Sequence, residues 1–279
     1  SGSMANGIAV ACHARHGDDI IASVASHVFD HEGGSYAALC GCTANQIPSD
    51  DGLIEPTDLE HHLHPQDVHF SPTRLFVIEN THNAGGGTPW TLDRFRAVTF
   101  EARRLGLAIH MDGARIWNAC AATGVAPDAF ASTVDSVSCC FSKGLGAPVG
   151  SALVGDRAFI EAARYRRKIQ GGSMRQAGLL AACALHALEH HRDRLPEDHA
   201  NATRLASGLA SLGLRVRPAP TNIVYFDVED AVGFCETLDR VGVRMLWMDR
   251  TKVRAVTHLD VSALQIEEAI EAIGRVVRG

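Results

Sequence analysis

Several things are missing from this 279-residue sequence, and each absence removes a class of function. There is no basic excess: 26 Lys and Arg stand against 32 Asp and Glu, for a net charge of -6. A nucleic-acid partner is therefore not expected. No uncharged stretch approaches the roughly eighteen residues needed to cross a bilayer, and no signal-peptide pattern is present. The expectation is a cytoplasmic protein with no membrane partner. No cysteine pair has metal-site spacing: Cys40-Gly41-Cys42 is the wrong gap for a zinc knuckle, and no second Cys or His pair follows at a suitable distance. There is also no internal repeat and no low-complexity tract.

What is present is ordinary globular material, 46% hydrophobic and 21% charged. The eight cysteines mostly lie in apolar segments, where free thiols pack as small hydrophobes. Of the fifteen histidines, His61, His62 and His64 are expected to end a polar helix, and His190-His191 to lie in another charged stretch. Solvated helix faces account for both groups better than metal ligation does. Short apolar runs at 19–23, 75–79, 108–112, 135–140 and 151–154 alternate with amphipathic segments at 4–15, 56–64, 91–105, 156–168 and 176–190. Strands alternating with helices predict βαβ units and a mostly parallel sheet. From about residue 192 the texture changes. A long charged helix (196–212), strands near 214–218 and 222–228, a helix (231–241), two further strand candidates and a closing helix (265–277) predict a smaller α+β domain. The expected division is a large α/β domain, 1–192, and a small domain, 193–279.

Two strand ends carry the chemistry. Lys143 follows the apolar run before Phe141-Ser142 and precedes Gly144-Leu145-Gly146, so a turn can present its amine at a strand's carboxyl end. About thirty residues upstream, His110-Met111-Asp112-Gly113-Ala114-Arg115 ends another strand with an acid and a guanidinium. Ligands of parallel sheets bind at such strand ends. A lysine for a Schiff base, an aspartate for a pyridinium nitrogen and an arginine for a carboxylate are the parts that hold pyridoxal phosphate (PLP). A lysine in a surface loop is the plainer reading, although the flanks are almost uncharged. The small residues Ser1-Gly2-Ser3 before Met4 also allow two readings: an appended leader, or a helix start whose free N–H groups cradle a phosphate. A metal site using His27 and His31 with nearby cysteines is a third, weaker possibility.

Several segments together resemble the low-specificity L-threonine aldolases of the aspartate-aminotransferase-like, fold-type-I PLP superfamily. These are Ser1-Gly2-Ser3-Met4-Ala5-Asn6, Ser26-His27-Val28-Phe29 with Glu32-Gly33-Gly34, Val68-His69-Phe70, Glu79-Asn80-Thr81-His82-Asn83, the Asp112 and Lys143 segments, Gly171 to Gln176, and Val256 to Ser262. The resemblance implies that Lys143 forms the Schiff base, that Asp112 pairs with the pyridine nitrogen, and that Gly2 and Ser3 hold the phosphate. His27 would stack on the ring and His69 contact the substrate's β-hydroxyl. Arg115 would bind cofactor oxygen or substrate carboxylate, and Arg254 the carboxylate. Lys168 and Arg175 belong to a basic segment near the cofactor. His82 is open between a site role and a turn role, while Cys139 and Cys140 are read as core. The implied reaction is PLP-dependent cleavage of threonine or allo-threonine to glycine and an aldehyde, in a homodimer or homotetramer with sites at the dimer interface. β-Elimination and racemisation on the same scaffold are the alternatives. The resemblance also implies an upstream arm with an Arg-Ser-Asp-Thr segment that this sequence does not include. The expectation is that its lack bears on activity and assembly more than on fold, with a catalytically impaired remnant as a further alternative. Ser3 for the usual Thr and Ser173 for a usual Gly are minor departures.

Overall fold

In the computed structural model, which describes residues 1–278, the chain forms two compact units that meet in sequence at Arg192 and Asp193. The first opens with α1 (Gly2–His13), capped by the Ser1 hydroxyl, which accepts from the Met4 N–H. Then follow β1 (Asp19–Ser23), α2 (His27–Asp30), α3 (Ser35–Ala38), β2 (Thr43–Ile47), α4 (Pro56–His62), β3 (Thr73–Glu79), α5 (Leu92–Arg104), β4 (Ala108–Gly113), α6 (Ile116–Thr123), α7 (Pro127–Ala131), β5 (Ser136–Cys140), β6 (Ser151–Gly155), α8 (Arg157–Ile169) and α9 (Gly178–His190). The strands make one sheet in the order β2-β1-β3-β4-β5-β6, parallel except for β6 against β5. The chain leaves β1 on one side for β2 and returns on the other to β3. The strand order therefore reverses between β1 and β3, where ligands of open α/β sheets bind.

Alternation along the strands explains why both faces are covered. Ile21, Phe76, Ile78, Ile109 and Met111 point to one face, where they pack with Phe95, Val98 and Ala102 of α5. Ile20, Ala22, Leu75 and Val77 point to the other, against Val10 of α1. A sheet buried on both faces reads as continuous apolar runs, as these strands do. Phe76, on the central strand β3, is fully buried. Phe76→Ala should therefore cost about 3–5 kcal/mol, read as a lower urea midpoint at unchanged slope.

The second unit contains α10 (Leu195–Ser211), β7 (Arg215–Val216), β8 (Ile223–Asp227), α11 (Ala231–Arg240), β9 (Leu246–Trp247), β10 (Lys252–Val256) and α12 (Ala263–Arg278). Its antiparallel sheet runs β7-β8-β10-β9, with Val224, Phe226, Val253 and Ala255 packed against Leu205, Leu209, Leu238, Ile266 and Ile273 of the helices. Among the described residues no helix is long and apolar enough to cross a membrane.

The sequence pattern marks neither the edge strand β2 nor the short helices α2, α3, α6 and α7, and it extends α4 too far. The polar edge strand β2, Thr-Ala-Asn-Gln-Ile, carries no alternating apolar pattern; it forms because β1 pairs with it and because Asp19 accepts from the Thr43 hydroxyl at 2.8 Å. Helix α4 stops at His62, since Leu63 is already extended ahead of Pro65. His64 is therefore not part of it, and its Nδ1 donates to the Ser71 carbonyl instead.

Candidate active site

The carboxyl ends of β1, β3, β4 and β5 lie side by side, and the polar cluster is built there. Lys143 sits in the connection between β5 and β6. Phe141 N–H donates to Gly150 O at 3.0 Å, extending the ladder, and Gly146 N–H donates to the Lys143 carbonyl at 2.8 Å. Gly146 (φ 70°) and Gly150 (φ 129°) take the left-handed backbone that a side chain would resist. The lysine is thus carried on a closed hairpin rather than on a free loop. Gly2, the first residue of α1, lies beside the end of β5: a Cβ there would stand 3.1 Å from Cys140 Sγ. The start of α1, the positive end of its helix dipole, is thereby brought to the same edge of the sheet as the lysine hairpin.

Asp112, buried at the end of β4, accepts from Ala114 N–H (3.0 Å) and from Asn6 Nδ2 (2.8 Å). Burial alone would raise its carboxyl. The Lys143 charge, the His27 charge and the Ala114 hydrogen bond outweigh this and hold it below the ordinary carboxylate range. Asp112 is therefore a buried carboxylate held toward its anionic form, with the Lys143 charge the largest of the effects that lower it.

His27 begins α2. Its backbone N–H donates to Glu79 Oε2 at 2.9 Å, so the carboxylate at the end of β3 fixes where this helix starts. Its ring Nδ1 meets Glu32 Oε1 at 2.9 Å, and the Glu32 side chain is fully buried. The hydrogen bond to Glu32 raises the imidazole's pKa against the opposing effect of burial, with Asp112 and Glu79 adding to the rise. Burial in turn raises the Glu32 carboxyl. The Glu32→Gln substitution should therefore lower the His27 titration midpoint, followed by imidazole NMR. An unmoved midpoint would refute the pairing.

His27, Glu32 and Asp112 place ligand-type atoms within 4.8 Å of one another, a geometry that could also receive a cation. No cysteine belongs to that group among the described residues, and His31 only tilts against His27 with ring centroids 5.5 Å apart. Asn6 Nδ2 donates to Asp112 Oδ2 and to Glu32 Oε1, and His27 Nδ1 meets the same Glu32 oxygen. His82 is buried in the segment after β3. Gly85 N–H donates to its Nδ1 (3.0 Å), which puts the proton on Nε2, directed at Ser23 Oγ (2.8 Å). All eight cysteines are free, and burial pushes the Cys139 thiol up to about 11, consistent with a core role.

The other candidates are placed differently. Arg115 is half-buried at the N-cap of α6. His69 lies in an exposed turn, its backbone N–H and its ring both bonded to Asp67. Lys168 and Arg175 are exposed, and Arg254 lies on β10 of the second unit. Four buried residues that reading the sequence assigned no role, Asn6, Glu32, Glu79 and His110, make up much of the cluster.

A six-stranded, mostly parallel sheet with a lysine hairpin and a buried aspartate at its carboxyl edge defines a fold-type-I PLP enzyme scaffold. The beta-eliminating lyase family model matches residues 1–231, and the chain belongs to the beta-eliminating lyase/threonine aldolase family. It is 38% identical to a low specificity L-threonine aldolase of Escherichia coli K12, covering 96% of this chain and 80% of that protein. It is 36% identical to a probable low-specificity L-threonine aldolase of Arabidopsis thaliana, covering 99% and 81%. The fold is similar to that of Leishmania major threonine aldolase (TM-score 0.87, 24% identity, covering 99% of this chain and 82% of that one). It is also similar to Sphingomonas wittichii serine palmitoyltransferase (TM-score 0.75, 21% identity, covering 100% and 71%).

Proposed function

We propose that this protein is a PLP-dependent aldehyde-lyase that cleaves L-threonine, L-allo-threonine and related β-hydroxy-α-amino acids to glycine and an aldehyde. The observation that carries the reading is the buried Asp112 carboxylate, hydrogen-bonded by Asn6 of α1 and stabilised by the Lys143 charge, with the start of α1 beside the end of β5. These residues fit PLP on three counts: an amine for its aldehyde carbon, an anion for its pyridine nitrogen, and a helix N-terminus for its phosphate. Gly2 carries no side chain, and a Cβ there would stand 3.1 Å from Cys140 Sγ, so this helix start stays bare. Lys143 would hold the cofactor covalently, Asp112 its nitrogen, Gly2 and Ser3 its phosphate, with His27 against the ring. When bound, PLP supplies the electron sink for the Cα–Cβ bond that breaks.

The protein's own groups do the rest. Asp112 keeps a proton at the atom it faces, because an anion buried this deeply stabilises a cationic partner far more than water would. Arg115 and Arg254 are the candidates for the substrate carboxylate, which a planar guanidinium grips through both oxygens. That grip selects which Cα bond lies perpendicular to the ring, and hence cleavage over racemisation. His69 is the candidate for the β-hydroxyl proton, since an imidazole exchanges protons near neutrality. Lys168 and Arg175 add positive charge near the site, and the assembly is a homodimer or homotetramer in the cytoplasm, with sites at the dimer interface. The division at 192 separates a cofactor-binding domain from a small one.

Purified protein incubated with PLP and threonine should release glycine and acetaldehyde in equal amounts. Pyruvate from serine without glycine would replace this reading with β-elimination.

A further inference from the structure

Among the residues behind Asp112, Asn6 uses all four hydrogen-bonding positions of its amide. Its two N–H bonds go to two different carboxylates, Asp112 Oδ2 at 2.8 Å and Glu32 Oε1 at 2.7 Å. Its carbonyl oxygen accepts from the Ser138 hydroxyl at 2.7 Å and meets His110 Nε2 at 3.1 Å. Turned over, the amide would set its oxygen against two carboxylates, so only one orientation is possible. That orientation fixes the next partners. His110 must carry its proton on Nε2, leaving Nδ1 to accept from the Ser136 hydroxyl at 2.9 Å. The Ser136 oxygen in turn accepts from His13 Nε2 at 2.8 Å. Burial pushes His110 down to about 4, so it is neutral and can serve as both donor and acceptor. Every donor in this chain points inward, toward the two carboxylates.

We propose that Asn6 is a positioning residue of the active site: its amide, oriented by His110 and Ser138, clamps the Asp112 and Glu32 carboxylates together and so couples the anion at the cofactor nitrogen to the placement of His27. The inference rests on the PLP reading above only in what Asp112 and His27 face; the clamp itself belongs to the chain. Physically, two buried carboxylates this close repel, and a single NH2 group between them gives each a donor without adding a charge. Because Glu32 Oε1 serves both Asn6 and His27 Nδ1, a shift of the amide moves the imidazole as well. Glu32 Oε2 is buried with no protein partner among the described residues, so Oε1 alone holds that carboxylate in place.

The test uses Asn6→Ala and Asn6→Leu, the second of which fills the space without restoring a donor. In both, the His27 titration midpoint measured by NMR should fall, because Glu32 loses the bond that keeps it anionic. The pH profile of the PLP-loaded protein's visible band should shift, and PLP should dissociate about tenfold more readily or more, by fluorescence titration. Variants that melt at lower temperature but keep the His27 midpoint and the pH profile would overturn the proposal in favour of a merely structural Asn6. If neither variant folds, the unaltered protein decides: both Asn6 side-chain protons should exchange slowly and follow the His27 titration, and an amide that exchanges freely or ignores that titration overturns the clamp. Failure of PLP to bind the unaltered chain would defeat the cofactor reading instead, leaving the His27 measurement to judge Asn6.

Discussion

Lys143→Ala should leave a protein that folds, does not turn yellow with PLP, and loses about 10^3-fold or more of its threonine cleavage. Lys143 contributes in two ways. The amine can bond an aldehyde carbon, and it is held by a hairpin whose ends are tied by Phe141 N–H to Gly150 O. The ammonium is also the leading charge that keeps Asp112 anionic against its burial. Alanine removes both contributions at once. Lys143→Arg separates them, since a guanidinium keeps the positive charge but forms no Schiff base under these conditions. The arginine variant should therefore be as inactive and colourless as the alanine variant, while Asp112 stays ionised. An arginine variant that retained activity within tenfold of the unaltered protein would show that Lys143 acts through its charge alone.

The sequence signals that single out Lys143 and Asp112 are local. An apolar run followed by glycines marks a strand end, and an acid just beyond such a run falls at the carboxyl edge of a parallel sheet. The strands of the large unit were legible for the same reason, each being a short apolar block that the doubly covered sheet requires. The edge strand β2 was not, because an edge needs only one partner and Thr43 to Ile47 carries no apolar alternation. The supporting cluster was harder still. Asn6 meets Asp112 across 106 residues of sequence, and His27 meets Glu79 across 52. No periodicity encodes a pairing at that range; it exists only once α1, β3 and β4 are packed together. The Ser1-Gly2-Ser3 start had two readings, and its place at the head of α1, with the Ser1 side chain capping it, gives those small residues a structural task. His69 was singled out for its motif, yet its turn is organised locally by Asp67 and leaves it exposed.

Asp112→Asn should bind PLP through Lys143 yet turn over threonine about two to four decades more slowly. That range brackets the roughly 2.7–4 kcal/mol that removing one preorganised electrostatic group costs a reaction, at about 1.36 kcal/mol per tenfold. The substitution is nearly isosteric, so its effect is electrostatic. Asparagine cannot hold a proton on the nitrogen it faces, and it removes an anion that supports the raised pKa of His27. It also opposes one amide to another: Asn6 Nδ2, which donates to Asp112 Oδ2, would then meet either an oxygen with no negative charge or an NH2 group that cannot accept. Asp112→Glu keeps the charge but adds a methylene inside a packed cluster, and should recover part of the pH profile without recovering the rate. Measuring both variants by visible spectroscopy and by turnover across pH separates charge from geometry. If Asp112→Asn stays within tenfold of the unaltered protein at every pH, the buried anion is not what drives the chemistry, and its support by Asn6, Ala114 and Lys143 serves stability instead.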